Sequence, residues 1–369
     1  MKDLINKIIF IISVLIILFG MLMLIFKNST TFSENENRYL AQFPRISLKN
    51  IHNGKFASGI EDYLNDQFPW RDSLVGFKTN IEYLLGKSKI NGIYITDDKF
   101  LIPTFEKKNS SEALLKVLNQ FTNSLTIPVS IMLVPNAIEI YNEKLPINNE
   151  KYNGIAEIEK IYKQFNGNII NVHDVLLQNK DESLYYRTDH HWTTYGAFYA
   201  YNAFLRSINK PVKMASEYEV TLVSDEFYGT SYSKSNYYNI PPDQLYLFID
   251  DGNYLVNYIK TNKTTNTLYN MDYLNKKDKY SIFLDNNHAL IEIDNLDNRS
   301  SEKLLLIKNS YGNSFAPFIA SDYDQISVID LRYYKDAVSS YILENNIDRV
   351  LILYDINGIY SDPSIMRLK

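Results

Sequence analysis

Three apolar runs in the C-terminal third decide the fold: "KLLLIKNS" (residues 303–310), "QISVIDLR" (325–332) and "IDRVLILYD" (347–355). Each is short and rich in Leu, Ile and Val, as is typical of a strand buried on both faces. The segments between them, "GNSFAPFIAS" (312–321) and "YKDAVSSYILENN" (334–346), have the pattern of helices. This strand-helix-strand-helix-strand order predicts a doubly wound α/β domain with a parallel sheet.

Two runs further upstream predict more buried strands of this sheet. "TIPVSIMLVPNA" (126–137) ends in a Pro-Asn loop, and "GNIINVHDV" (167–175) contains a strand that leads into His173. Before them, Asp97 and Asp98 mark a hairpin turn between two short apolar segments. The sequence therefore changes to strands well before the C-terminal third.

Residues 230–300 have a different composition, dominated by Tyr, Asn and Asp. Only "KYSIFLDNNHALIEI" (279–293) alternates clearly, on either side of Asn286 and Asn287. We expect an inserted β-hairpin region or flap here. The domain that carries this insertion is expected over residues 89–369.

The N-terminus contains an uncharged run, "IIFIISVLIILFGMLMLIF" (8–26), which would span about 29 Å as a helix. No small residues of a cleavage site follow it, so an uncleaved membrane anchor over residues 1–27 is favoured over a signal peptide. Lys2 and Lys7 precede the run, which favours a single-pass protein with its body outside the cytoplasm. Residues 28–88 read as a helical stalk broken at Pro69.

The composition excludes several classes of function. Lys and Arg (38) nearly balance Asp and Glu (43), without a basic block, so the chain has no electrostatic footprint for nucleic acid. The absence of cysteine removes thiol nucleophiles, disulfides and zinc-cysteine sites. The 30 tyrosines can be sugar-stacking platforms or a compositional bias, and the accompanying Asn, Lys and Ile favour bias.

Function in such sheets collects at the carboxyl ends of strands, where Ser310, Arg332 with Tyr333, and Tyr354 stand. A serine at a strand-to-helix turn presents its Oγ outward beside backbone N–H groups, as a nucleophile requires. The structural alternative makes Ser310 a helix N-cap. A rival serine, Ser231, has no apolar strand running into it.

The base that such a serine needs is offered by "RTDHHWTTYGAF" (187–198). Its Asp-x-His spacing lets Asp189 and His191 reach from one loop toward the same pocket. Thr193 or Thr194 is expected to cap a helix that follows Trp192.

A metal site is the alternative for the same loop. It would use His190 and His191, and His173 with Asp174 or Asp189. Adjacent histidines seldom converge on one ion and no HExxH-type spacing is present, so we predict neither a metal nor another cofactor.

Several short motifs together resemble the DHHW family of bacterial envelope proteins. They are "TDHHWT" followed by Gly196, "ENR" (36–38), "FPWR" (68–71), "FYGTSYSKS" (227–235) and "KNSYGNSFAPF" (308–318). That family is similar to the SGNH-like domains of alginate O-acetyltransferases, whose Asp-x-His-Trp motif precedes the nucleophilic serine. The resemblance implies an SGNH-hydrolase-like fold preceded by a membrane helix.

By this resemblance Asp189 and His191 match the acid and base, Ser310 matches the nucleophile, and His190 and Trp192 support the loop. The usual Gly-Asp-Ser block is here Lys308-Asn309-Ser310, and the usual oxyanion blocks have no plain equivalent. Arg332 and Tyr354 are therefore expected as substitute donors. The alternatives are an ion pair for Arg332 and edge packing for Tyr354.

The resemblance also implies a function: transfer of an acetyl group to hydroxyls of a secreted or cell-surface polysaccharide through an acetyl-serine intermediate. A multi-spanning membrane acyltransferase that delivers the acetyl group is the implied partner. Two alternatives stay open. A carbohydrate acetylesterase would use the same triad with water as acceptor, and a non-catalytic module would bind glycan through Tyr-rich surfaces.

Overall fold

The computed structural model describes residues 2–26, 28–33, 35–36, 38–105, 109–147, 153–297 and 300–368. Both ends of the expected anchor, Met1 and Lys27, and Asn37 of the ENR motif lie outside these residues. The chain divides into two compact units, one formed by residues 1–87 with 232–239 and the other by residues 88–231 with 240–369. The short segment 232–239, expected within the insertion, thus belongs to the smaller unit.

The helices of the described residues are α1 (Lys2–Phe26), α2 (Leu48–His52), α3 (Lys55–Gln67), α4 (Arg71–Leu84), α5 (Ser111–Asn123), α6 (Ala137–Ile140), α7 (Gly154–Tyr162), α8 (His173–Gln178), α9 (Thr194–Ser207), α10 (Thr230–Ser235), α11 (Tyr311–Ile319), α12 (Val338–Glu344) and α13 (Ile356–Ser361). The strands are β1 (Phe32–Ser33), β2 (Arg38–Tyr39), β3 (Lys89–Ile90), β4 (Ile93–Ile95), β5 (Leu101–Pro103), β6 (Val129–Val134), β7 (Asn168–Ile169), β8 (Glu219–Phe227), β9 (Asp243–Ile249), β10 (Tyr254–Tyr258), β11 (Lys263–Thr265), β12 (Leu290–Asn295), β13 (Lys303–Lys308), β14 (Gln325–Ile329) and β15 (Arg349–Asp355).

The larger unit is built on an eight-stranded sheet of order β11-β10-β12-β14-β13-β15-β6-β7. From β14 to β7 every neighbouring pair is parallel, as the apolar runs predict. From β14 to β11 every pair is antiparallel, so the sheet is mixed rather than wholly parallel. The antiparallel strands cover the edge of β14 that would otherwise expose unpaired backbone groups.

Helices cover both faces of this sheet, because alternate residues of each strand point to opposite sides. On β13, Leu304 and Leu306 join a core cluster with side chains of α9 and α11, whereas Leu305 and Ile307 join a second cluster with side chains of α5, α7 and α12. This two-sided burial explains the continuous apolar runs of the sequence. α11 begins at Tyr311, directly after the carboxyl end of β13.

The inserted region 230–300 does contain a β-hairpin, formed by β10 and β11, but its expected position around Asn286 and Asn287 is wrong. Lys279–Ile282 forms a 3₁₀ turn, and the neighbours of β12 are β10 and β14. Residues 280–284 are all buried, so this segment does not alternate between a core face and a solvent face. The hairpin turn at Asp97 and Asp98 is confirmed, since β4 and β5 pair antiparallel around it.

The smaller unit contains α1 to α4 and the antiparallel pair β1 and β2. Within α1, the segment Asp3–Leu24 contains an 18-residue stretch with a mean hydropathy of 2.8 and is long and apolar enough to cross a membrane. Helices α3 and α4 follow one another and are separated at Phe68–Trp70, where Pro69 interrupts the helical pattern. The expected break at Pro69 is therefore confirmed.

Candidate active site

Asp189, His191 and Ser310 form one hydrogen-bonded line in the larger unit. The Nε2 atom of His191 lies 2.7 Å from Ser310 Oγ, and its Nδ1 atom lies 2.5 Å from Asp189 Oδ1. The backbone N–H of His191 also donates to Asp189 Oδ1, at 3.0 Å. The structure thus brings together the three side chains that the sequence offers as acid, base and nucleophile.

Ser310 occupies the turn between β13 and α11. It lies at the N-cap position of α11 with φ −60° and ψ −21°, and its side chain makes no capping hydrogen bond. Asn309 binds the helix start instead, because its Oδ1 accepts from the N–H of Tyr311 at 3.2 Å. Asn309 is held in turn by Asp355, whose Oδ1 accepts from Asn309 Nδ2 at 2.5 Å. The Ser310 hydroxyl therefore points to His191 and does not serve as a cap.

Asp189 is held from its other side by the segment that begins α10. Its Oδ2 atom accepts from the backbone N–H of Thr230 at 2.6 Å and from the Thr230 hydroxyl at 2.9 Å. A Cβ atom at Gly229 would lie only 2.2 Å from Asp189 Oδ2, so the absence of a side chain at Gly229 lets the carboxylate approach. The family-like "FYGTSYSKS" segment thus positions the acid.

The charges of this line follow from its burial. Burial opposes ionisation of Asp189, but His191, His190 and the hydrogen bonds outweigh it and hold the pKa of this carboxyl well below its ordinary value. Burial and the neighbouring His190 lower the pKa of His191 below its ordinary range, against the opposing effect of Asp189. At neutral pH the pair is thus a carboxylate and a neutral imidazole, the state that a general base requires.

Tyr280 contacts both the base and the nucleophile, although no pattern in the sequence indicates such a role. Its ring stacks on His191 with the centroids 3.8 Å apart and the planes 7° from parallel. Its hydroxyl donates to the carbonyl oxygen of Ser310 at 3.1 Å and lies 3.0 Å from Ser314 Oγ. Burial raises the pKa of Tyr280 above its ordinary value, so the phenol remains a neutral donor.

Trp192 attaches the Asp-His loop to α11. The indole is fully buried, and its Nε1 donates to the carbonyl oxygen of Tyr311 at 3.1 Å and to Ser314 Oγ at 2.9 Å. Thr193 caps α9, because its Oγ1 accepts from the N–H of Gly196 at 3.3 Å. The expected cap is confirmed, and Trp192 lies in the core.

His190 packs beside His191, with ring centroids 3.8 Å apart. Its Nδ1 lies 2.6 Å from the Thr230 hydroxyl, and its carbonyl oxygen accepts a hydrogen bond from Tyr311. Unlike the His191 side chain, that of His190 is 39% exposed. His190 therefore contacts the triad from its solvent side.

Arg332 forms the ion pair that the sequence left as an alternative. Its Nε and a terminal nitrogen bind the two oxygens of Asp330 at 2.9 and 2.6 Å. Buried Lys308 lies 3.4 Å from the same carboxylate, and burial lowers the pKa of Lys308 to about 8. The guanidinium makes no hydrogen bond to Ser310 within the described part of the chain. Its role as an oxyanion donor stays a prediction.

Tyr354 is fully buried in the second core cluster, next to Ile352 and Tyr360. Its hydroxyl has no hydrogen-bond partner among the described residues. Edge packing, the alternative for this residue, describes this position better than an oxyanion contact, because a phenol without exposed surface cannot reach a substrate. We therefore leave Tyr354 out of the site proposed below.

The rival serine and the metal alternative have less support. Ser231 is buried, and no described residue hydrogen-bonds to its hydroxyl, so it has no base. Asp189, His190 and His191 place ligand atoms within 4.8 Å of one another. Both ring nitrogens of His191 are already hydrogen-bonded, however, and His173 pairs with Asp174 at 3.1 Å, outside that cluster. An ion bound through His191 would have to break the contact of this ring with either Ser310 or Asp189.

A serine at a strand-to-helix turn, bonded to a buried histidine and aspartate in a mixed α/β unit, is the arrangement found in nucleophilic acyl-transfer enzymes. The chain belongs to the DHHW family, whose model, described as DHHW protein, matches residues 93–329. No curated protein sequence matches the chain.

Solved structures show the same fold. A DHHW family protein from Eubacterium siraeum is 25% identical, covers 76% of this chain and 97% of its own, and superposes with a TM-score of 0.68. PatB1 from Bacillus cereus is 20% identical and covers 75% of this chain, both with a sulfonyl adduct (98% of its own chain, TM-score 0.64) and without it (99%, TM-score 0.63). These structures span the larger part of the chain.

Proposed function

We propose that this protein is a membrane-anchored, extracytoplasmic O-acetyltransferase that acts on hydroxyl groups of a secreted or cell-surface polysaccharide. The observation that carries the proposal is the 2.7 Å contact between His191 Nε2 and Ser310 Oγ, with Asp189 2.5 Å from the other nitrogen. The choice of a polysaccharide acceptor rests on the resemblance of the DHHW family to alginate O-acetyltransferase domains. The same resemblance supports a multi-spanning acyltransferase as the source of acetyl groups.

In the first step, the neutral imidazole of His191 takes the proton of Ser310 while Oγ attacks the acetyl carbonyl carbon. A bond forms between Oγ and the carbonyl carbon, and the bond to the donor's leaving group breaks. His191 then returns the proton to that leaving group, which leaves acetyl-Ser310. Asp189 stabilises the imidazolium that forms between these two proton transfers.

In the second step, a sugar hydroxyl takes the place of the leaving group. His191 accepts the proton of the sugar hydroxyl, the sugar oxygen bonds to the acetyl carbon, and Ser310 Oγ leaves with the proton. The N-terminal end of α11, where Ser310 lies, offers the positive end of the helix dipole to the negative oxygen of each tetrahedral intermediate. Arg332 is a further candidate donor.

The location outside the cytoplasm rests on α1 as a single span. Its 22-residue segment Asp3–Leu24 supports an anchor, and two lysines before the apolar run support a cytoplasmic N-terminus. An enzyme anchored in this way acts close to the membrane, where a multi-spanning donor of acetyl groups would deliver them.

The proposal is tested by following the acetyl group. After exposure to a chromogenic acetyl ester, mass spectrometry of the full chain in detergent should find one acetyl group on the peptide that contains Ser310. Ser310→Ala should abolish the label, whereas Ser314→Ala should keep it. Turnover that moves acetyl to an added polysaccharide supports the transferase. Release of acetate alone, with acceptor present, supports the esterase, and an unlabelled Ser310 contradicts both.

A further inference from the structure

An exposed apolar face runs along α4 of the smaller unit. Its side chains recur every three or four residues, as on one side of a helix. They are Trp70 (55% exposed), Leu74 (50%), Phe77 (65%), Ile81 (40%), Leu84 (82%) and Leu85 (82%). We call this set the α4 apolar face. Such a continuous set of exposed large apolar side chains is unusual on a water-facing surface and marks an interaction site.

The opposite side of α4 is the one that packs against protein. Gly76 and Thr79 are buried, and the ring of Tyr238 lies so close that a Cβ atom at Gly76 would meet it at 2.6 Å. The helix therefore packs its small and polar side inward and leaves its apolar side uncovered. This is the reverse of the arrangement in an ordinary surface helix, where the apolar side faces the core.

The α4 apolar face is continuous with the apolar surface of α1. The ring of Trp70 stacks on Phe19, with the centroids 5.9 Å apart and the planes 9° from parallel. The ring of Phe68 lies against Gly20, where a Cβ atom would meet it at 2.6 Å. Phe19 precedes the end of α1 at Phe26 by seven residues, which is about 10 Å along the helix axis. Trp70 therefore lies beside the C-terminal part of the apolar run of α1, at the position of Phe19.

The charges near this face are neutralised inside the smaller unit. Arg71, at the start of α4, pairs with Glu36, and Arg38 binds Asp66 at 2.6 Å. The carboxylates of Glu36 and Asp66 are only 9% and 11% exposed. These ions keep their partners when the neighbouring apolar side chains leave water, so none of the four is left without a counter-ion. The ENR and FPWR motifs thus supply charge pairs within the smaller unit.

We propose that the α4 apolar face lies in the outer boundary of the bilayer that α1 crosses, so that α4 is an interfacial helix beside the membrane span. The proposal rests on α1 being the span of the proposed function. Lipid is favoured as the occupant because Trp70 already contacts α1 at the depth, about 5–10 Å into the headgroup and acyl boundary, that interfacial helices reach. A tryptophan at this level is typical of membrane-interface anchors.

The tryptophan content of the chain allows a direct test. The chain has two tryptophans, and Trp192 is fully buried. The full chain carrying Trp70→Phe and Phe77→Trp is reconstituted in phosphatidylcholine vesicles, with or without bromine on the acyl chains. We expect brominated lipid to cause about a twofold loss of the fluorescence of the introduced indole, and water-soluble acrylamide to quench it little. Trp70→Phe alone gives the baseline from Trp192.

A matched control places the second indole outside the face. Tyr333 is 46% exposed in the larger unit, so Tyr333→Trp with Trp70→Phe should respond to acrylamide and little to brominated lipid.

Equal lipid quenching at both positions, or acrylamide quenching at position 77, would overturn the proposal. Shielding from both quenchers with a dimer in light scattering would also overturn it, and would assign the face to a second copy. Protein that fails to float with vesicles overturns it together with the anchor. Acetyl transfer is not measured, so failure here leaves the proposed chemistry standing.

Discussion

His190 and His191 are adjacent in the loop, and their Nδ1 atoms lie 3.5 and 2.5 Å from Asp189 Oδ1, but their rings differ in their other partners. His191 Nε2 contacts Ser310 Oγ at 2.7 Å, whereas His190 Nδ1 contacts the Thr230 hydroxyl at 2.6 Å. We expect His191→Ala to lower kcat by about 10³-fold or more, because the serine loses its base. His190→Ala should stay within about tenfold of the parent, since the triad contacts remain. Steady-state turnover of an acetyl ester measures both, and equal losses would contradict this division.

Tyr280 tests whether a stacked ring supports the base. Tyr280→Phe keeps the 3.8 Å stack on His191 and removes the hydroxyl that donates to Ser310, so a loss of a few-fold in kcat is expected, equivalent to about 1 kcal/mol. Tyr280→Leu removes the ring face that stabilises the imidazolium, and we expect a larger loss of about tenfold. Phe283→Leu is the matched control, because Phe283 packs on Tyr280 in the same core cluster.

The readout that separates support of the base from simple packing is the pH profile. Tyr280→Leu should move the acidic limb of kcat/KM to lower pH, because a destabilised imidazolium gives up its proton more easily. Phe283→Leu should leave that limb in place. If both variants lower activity without a change in the limb, Tyr280 is a packing residue only.

The pH dependence that the proposed function predicts for the parent protein follows from the same histidine. His191 is active when neutral, and burial and His190 lower its pKa, so the neutral form persists at a lower pH than for an exposed histidine. The acidic limb of kcat/KM is therefore expected below about pH 6.5, the ordinary histidine value. His190→Ala removes the neighbour whose electrostatic effect lowers the pKa of His191, and should move the limb upward. A limb above pH 6.5 in the parent would contradict the assignment.

The segment that leads into α10 positions the Asp189 carboxylate, and the addition of a single methyl group at Gly229 tests this role. A Cβ atom at Gly229 would come within 2.2 Å of Asp189 Oδ2, so Gly229→Ala should displace the carboxylate and lower kcat by about 10²-fold. Ser231→Ala, two residues further on, removes a buried hydroxyl without a partner among the described residues and should leave turnover unchanged. Unaltered activity in Gly229→Ala, or loss in Ser231→Ala, would return Ser231 to consideration.

The elements that the sequence predicted are those buried on both faces. β13, β14 and β15 are continuous apolar runs because helices cover both sides of them, and this pattern is readable without the structure. The antiparallel strand β10 was not predicted, because Asn and Tyr interrupt its apolar pattern. β12 begins within the alternating segment 279–293, but its pairing with β10 and β14 was not predicted, because it is set by contacts distant in sequence.

The residues of the candidate site also divide into those that the sequence predicted and those that it did not. Asp189 and His191 share one loop and Ser310 ends a recognisable strand, so local pattern and resemblance were sufficient to name them. Tyr280 could not be named, because a 3₁₀ turn carries its ring to His191 and nothing in its local sequence indicates that turn. For the same reason, Asn309 could be seen as a departure from the usual serine block, but its hydrogen bonds to Asp355 and Tyr311 could not.

For the whole molecule, the division into two units predicts that anchoring and chemistry are separable. All three triad residues lie in the unit of residues 88–231 and 240–369, whereas α1 lies in the other. A chain that begins at residue 28 keeps the triad, the central sheet and α2 to α4, and loses only the membrane span. We therefore expect its kcat/KM for a small acetyl ester to stay within about twofold of the full chain, since the reacting groups keep their positions.

The same shortened chain should differ sharply in location. Without α1 it loses the 22-residue apolar segment, so most of it should leave a membrane pellet and fail to float with vesicles, apart from weak binding through the α4 apolar face. Acetylation of a polysaccharide that depends on a membrane-bound donor should decrease when membrane binding is lost, while hydrolysis of the small ester persists. N-terminal sequencing of the mature full-length protein provides the complementary check. A mature chain that begins near residue 28 would show that α1 is a cleaved signal, and a shortened chain that loses ester hydrolysis would show that the two units depend on one another.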